Sequence, residues 1–137
     1  YMAELREMAR EDQRVRFVEP VAMPEICRHL NLYDVGIYLL PPVNFNHEHA
    51  LPNKFFEFIQ ARLAVAIGPS TEMARIVDKY SLGVIADSFE PEALAAALEQ
   101  LTDESIRGYK LAAARAAREL NYEAAGQVLL HEIERLI

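Results

Sequence analysis

Val35-Gly36-Ile37-Tyr38-Leu39-Leu40, closed by Pro41-Pro42, is the stretch whose reading decides the fold. An unbroken apolar run of this length suits a strand covered on both faces, as in a parallel sheet, because a half-exposed strand would alternate with polar residues. Downstream, Pro52-Asn53-Lys54 opens a helix in which Phe55, Phe56, Phe58, Ile59 and Leu63 are interleaved with Glu57 and Gln60. Ala64-Val65-Ala66-Ile67 is the next strand, ended by Gly68-Pro69. Ser70 is placed to cap a helix reaching about Lys79, with Met73, Ile76 and Val77 inward, and Gly83 to Ala86 makes a further short strand. Glu90-Pro91-Glu92 starts another helix, with Leu94, Ala97, Leu98 and Leu101 on one side.

Upstream, Val15-Arg16-Phe17-Val18 alternates apolar and polar residues and carries β-formers, which predicts a strand that Pro20 stops. Pro24-Glu25 suits the first turn of a helix whose buried face would be Ile26, Cys27, Leu30 and Leu32. Leu5, Met8 and Ala9 lie at helical spacing within residues 2–10, a short amphipathic helix. The last third is alanine-rich and helical, broken near Asn121, after which Ala125, Val128, Leu129, Ile133 and Leu136 form a stripe. Strands alternating with helices at this spacing predict βαβ units in one α/β domain: a parallel sheet over about residues 1–108 and a helical tail over 109–137.

Composition excludes several classes. A chain of 137 residues with 52% hydrophobic and 26% charged residues has the makeup of an ordinary packed domain. Its formal charge of −7 argues against a broad grip on nucleic acid, which depends on Lys and Arg displacing counterions. Cys27 is the only cysteine, so no intrachain disulfide can form and a reducing, cytoplasmic setting is expected. No apolar run approaches the ~20 residues of a membrane span. Because Tyr1 and Met2 already read as mid-helix, the chain is expected to be a piece of something longer.

Ligands of open parallel sheets bind beyond the carboxyl ends of the strands, which directs attention to the segment after Leu40. Between Pro41 and Lys54 it carries His47, His49, Glu48, three asparagines and a lysine, and is longer than a connection requires. It ends at a helix N-terminus, whose free N–H groups and dipole suit a phosphate, with Lys54 adding charge. Glu57, one turn on, could accept paired hydrogen bonds from the vicinal hydroxyls of a ribose. The same residues also fit a plainer account in which Asn53 is a helix cap, Lys54 is solvated and Glu57 is surface polar. His47, Glu48 and His49 have the look of a metal cluster but lack the further ligand that a closed site requires. Cys27, on an apolar helix face, reads as an inert core thiol. Tyr109 and Tyr122 read as packing residues.

The elements Asp34-Val-Gly-Ile-Tyr-Leu-Leu-Pro41, Leu51-Pro-Asn-Lys-Phe-Phe-Glu-Phe58 and Ala61-Arg-Leu-Ala-Val-Ala-Ile67, in this order and spacing, resemble the donor-binding half of the GT-B glycosyltransferases. The likeness is greatest to the retaining enzymes that build capsules, exopolysaccharides and lipopolysaccharides. It continues through Leu82-Gly83-Val84, Pro91 to Ala95 and Asn121-Tyr-Glu123.

The resemblance implies a Rossmann-like sheet. It also implies transfer of a sugar, with retention and without a metal or other cofactor, from a nucleoside diphosphate to a saccharide or lipid-linked acceptor. In that family two glutamates separated by seven residues bracket the loop, the first contacting the donor sugar and the second the ribose. Glu57 stands at the second position; His49, with Glu48 beside it, stands at the first and would carry the catalytic contact. Ala50, Leu51, Pro52 and Asn53 would face the sugar and diphosphate with Lys54 near them, and Val21 in the turn after Pro20 would border the base. An acceptor domain and the first βα units would lie upstream, the segment Val15 to Val18 would pair with one of those absent strands, and the whole protein would associate peripherally with the inner face of a membrane. A sugar-nucleotide 2-epimerase of the same architecture and, from another class, a non-catalytic module that binds a nucleotide sugar or a partner are the alternatives.

Overall fold

In the computed structural model, which describes residues 1–136, the order of elements is α1 (Met2–Met8), a 3-10 turn (Met23–Glu25), α2 (Ile26–Leu30), β1 (Val35–Tyr38), α3 (Phe45–Glu48), α4 (Asn53–Gln60), β2 (Ala64–Ile67), α5 (Thr71–Tyr80), β3 (Gly83–Ile85), α6 (Pro91–Glu99), α7 (Asp103–Ala116) and α8 (Tyr122–Glu134). The three strands form one parallel sheet in the order β1-β2-β3, with Val35 opposite Ala64 and Val65 opposite Gly83. The fold is therefore α/β, a parallel sheet flanked by helices. All four residues of β2 are buried, as a central strand between two helical layers must be.

One layer is α4, α5 and α7, which bring Phe55, Ile59, Met73, Val77 and Ala113 against Val65 and Ile67; the other is α6, which sets Leu94 against Ala66. Fully burying side chains the size of Phe55, Ile59 or Leu63 is worth roughly 1.5–3 kcal/mol each, so this cluster dominates the stability of the domain. Small residues let the layers approach. Ala112, Ala113, Ala116 and Ala117 form the buried stripe of α7, which belongs to the core and not to a separate tail; the expected boundary at 108/109 falls inside this helix.

Four other expectations change. Val15 to Val18 is not a strand: the sheet stops at β1, no backbone ladder forms on that segment, and Val15, Phe17 and Val18 stay exposed. Phe17 instead lies beneath the Arg6 guanidinium, 5.8 Å from its ring centroid, where the segment leans on α1. β1 is covered unevenly: Gly36 is buried beneath Phe58, and on the other face Val35 and Leu39 pack against the cluster of Ala66 and Leu94, but Ile37 between them is 49% exposed. Leu32 lies past the end of α2 and is exposed, and the stripe on α8 faces solvent along its length.

Arg62 adopts φ 65°, a left-handed conformation that most residues avoid. Its guanidinium Nη1 folds back and donates to the carbonyls of Ile59 and Gln60, satisfying the end of α4 and placing positive charge at the negative pole of the helix. Gly83 is required for a different reason: a Cβ there would run into the Val65 carbonyl of the adjacent strand. Gly108, within α7, has open space around it. Urea melts should accordingly separate the two glycines: Gly83→Ala is expected to destabilise by about 3 kcal/mol, at the upper end of overpacking effects, while Gly108→Ala should stabilise by roughly 0.5–1 kcal/mol through helix propensity.

Candidate functional site

The carboxyl ends of β1 and β2 and the amino ends of α4 and α5 lie on one edge of the sheet, a consequence of parallel strands joined by returning helices. Between β1 and α4 the chain forms the short helix α3. Asn44 caps it by accepting a hydrogen bond from the His47 backbone N–H at 2.9 Å, and the Phe45 and His49 rings lie 4.6 Å apart, centroid to centroid. The cap was legible in principle, since asparagine before Phe45-Asn46-His47 is a preferred N-cap. His47 is half-buried with its Nδ1 shielded and unpaired, while Glu48 and His49 are exposed.

The N-terminus of α4 differs from the capping account. Its cap position is Pro52, in extended conformation and with no side chain to offer; Asn53 is the first helical residue and caps nothing. The Phe55 N–H is taken by the Pro52 carbonyl at 3.0 Å, and the N–H groups of Asn53 and Lys54 point out of the helix end unmatched. Lys54 is exposed and makes no ion pair among the described residues.

The C-terminal end of α4, by contrast, is fixed from three sides. Asn31 Nδ2 donates to the Ala61 carbonyl at 2.7 Å, Arg62 bonds its last turn, and Gln60 Nε2 donates to the carbonyls of Ala117 and Leu120 at 3.0 and 2.9 Å. None of these ties follows from residue order, because each partner is set by how α2 and α7 pack. Together they hold the helix that presents Glu57.

Glu57 is half-buried, and no group among the described residues donates to its carboxylate. Its backbone carbonyl faces α2, where Cys27 Sγ approaches it at 3.9 Å. Burial pushes the Cys27 thiol above its ordinary pKa, the Glu57 charge adds to the rise, and Arg62 opposes it. This matches the inert thiol expected from sequence, and it identifies Glu57 as a charge felt across the α2–α4 contact.

The structure thus brings Ala50, Leu51, Pro52, Asn53, Lys54 and Glu57 into one continuous turn and helix end, with Glu48 and His49 on the preceding α3. Val21 is not part of it: with Ala22, Arg28 and His29 it lines a separate hollow of about 530 Å³ along α2, to which no residue of the loop or of α4 contributes. A groove of about 770 Å³ flanks the other side of α4, between Asn53, Phe56 and Gln60 and the start of α8; Tyr122 stands at its rim 92% exposed, contrary to a packing role. Among the described residues no three His, Cys, Asp or Glu side chains gather as metal ligands, and no helix is long and apolar enough to cross a membrane. Ser70, at the cap position of α5, is 3% exposed, and its Oγ accepts no helix N–H.

Compared with known proteins, the chain matches no family model, no curated protein and no solved structure.

The charge contact across α2 and α4 makes a direct test of the site's electrostatics. Cys27 should alkylate more slowly than a free thiol at a given pH, and Glu57→Gln should speed it by removing the negative charge that disfavours the thiolate. An unchanged rate in stopped-flow thiol labelling would show that the carboxylate is directed away from α2.

Proposed function

We propose that the turn from Ala50 to Pro52 and the first turns of α4 bind a nucleoside-diphosphate sugar. In this reading the chain is the donor-binding part of a retaining GT-B glycosyltransferase acting in cell-surface polysaccharide synthesis. The observation that carries it is an α4 N-terminus with no side-chain cap, lying at the carboxyl edge of a parallel sheet, with a half-buried and unpartnered Glu57 one turn along.

Each part has a role in that reading. The free N–H groups of Asn53 and Lys54, the helix dipole and the Lys54 ammonium attract and orient the diphosphate. In the transfer step the same donors stabilise the negative charge that grows on the departing diphosphate. Glu57 accepts from the two ribose hydroxyls. His49 and Glu48 hold the sugar hydroxyls, the imidazole acting as donor or acceptor. The acceptor is a saccharide or a lipid-linked saccharide. A 2-epimerase or a non-catalytic module would bind the same donor, and turnover separates them: transfer to an acceptor marks the first reading, interconversion of the donor sugar the second, and binding alone the third.

Calorimetric titration with UDP-glucose, GDP-mannose, ADP-glucose and CMP-sialate is expected to give binding for one base. Glu57→Ala should weaken that binding by ~1–3 kcal/mol, the usual cost of losing a charged hydrogen-bond partner. If none of the four binds, the donor-site reading fails.

A further inference from the structure

The segment from Val43 to Leu51 is unusual in what it exposes. Val43 is 76% and Phe45 73% exposed, and Leu51 is also exposed; Phe45 begins, and the other two flank, a four-residue helix that no strand or other helix packs against to any substantial extent. Such a helix is too short to be stable by itself; the Asn44 cap and the Phe45–His49 ring contact are what hold it. The segment is bounded by Pro41-Pro42 on one side and Pro52 on the other, whose fixed φ stiffens its ends. It also borders the unmatched N–H groups of Asn53 and Lys54.

On the donor-site reading above, we infer that residues 43–51 form a strap that folds over the α4 N-terminus when the donor occupies it. Closure lays the Phe45 ring and Leu51 against the ligand and removes both from water. The driving force is apolar burial that the open form lacks, and the result is a drier setting in which Lys54 and the helix dipole act more strongly on the diphosphate. Phe45 then acts on affinity without contributing to the core, because its ring is largely exposed and lies against His49 at the end of the same short helix.

Backbone amide exchange of the chain, followed by mass spectrometry with and without whichever of the four sugar nucleotides binds, tests this directly. The amides of residues 45–51 are expected to slow by about tenfold or more on binding, as a segment passing from a locally open to a closed state does. Phe45→Ser should leave the melting temperature of the unliganded chain unchanged and weaken binding by roughly tenfold, the loss that follows from leaving one large apolar side chain unburied. Protection confined to the first turn of α4 with none in 45–51, or a Phe45→Ser variant that binds as well as the parent, would overturn the strap while leaving the donor site standing. Absence of binding to all four nucleotides removes both.

Discussion

The burial of β2 is the constraint on which the rest depends. Ala64-Val65-Ala66-Ile67 has no solvent face, so helices must close on both sides of it and neighbouring backbone must take up its hydrogen bonds. β1 and β3 supply the backbone partners. The helical layers supply the apolar cover, and Gly83 and the alanines of α7 are small because only small residues permit that approach. The strand also fixes the direction of α4 and α5, since each must return along the sheet and begin again at its carboxyl edge.

That geometry explains why one end of α4 is fixed and the other open. Asn31 and Arg62 donate to carbonyls at the far end and Gln60 ties it to the carbonyls of Ala117 and Leu120, while Pro52 gives the near end no side-chain cap. A helix anchored at its C-terminus and without a side-chain cap at its N-terminus is a rigid support for the turn that precedes it. Glu57 gains from the same rigidity, because its backbone is fixed by the anchored end of the helix.

Much of this was legible in the residues. The runs Val35 to Leu40 and Ala64 to Ile67 are recognisable because burial on both sides forbids polar alternation, and α4 is recognisable because Phe55, Phe58 and Ile59 recur at helical spacing. Misreadings fall where tertiary context decides. Val15 to Val18 has the composition of a strand, yet a strand exists only beside a partner. Ile37 belongs to an apolar run, but how much of β1 a helix covers depends on where α6 crosses. Within the site, Glu57, Lys54 and the turn before them could be picked out from order and type. The hollow that Val21 lines could not, because the path between Pro20 and α2 is set by packing and not by local pattern, and the absence of a cap at Asn53 depends on a one-residue shift in where the helix begins.

The last helix is a different kind of element. From Gln127 to Glu134 every residue of α8 is exposed, and the Asn121 side chain, accepting from the Ala124 N–H at 2.8 Å, is the main feature that starts it. Helices of this length are marginal in water when they lack tertiary contacts. Heating should then fray α8 gradually, well below the cooperative loss of the sheet and its two layers, so the chain carries two thermal regimes: a core that melts as one unit and a terminal helix whose content follows temperature continuously.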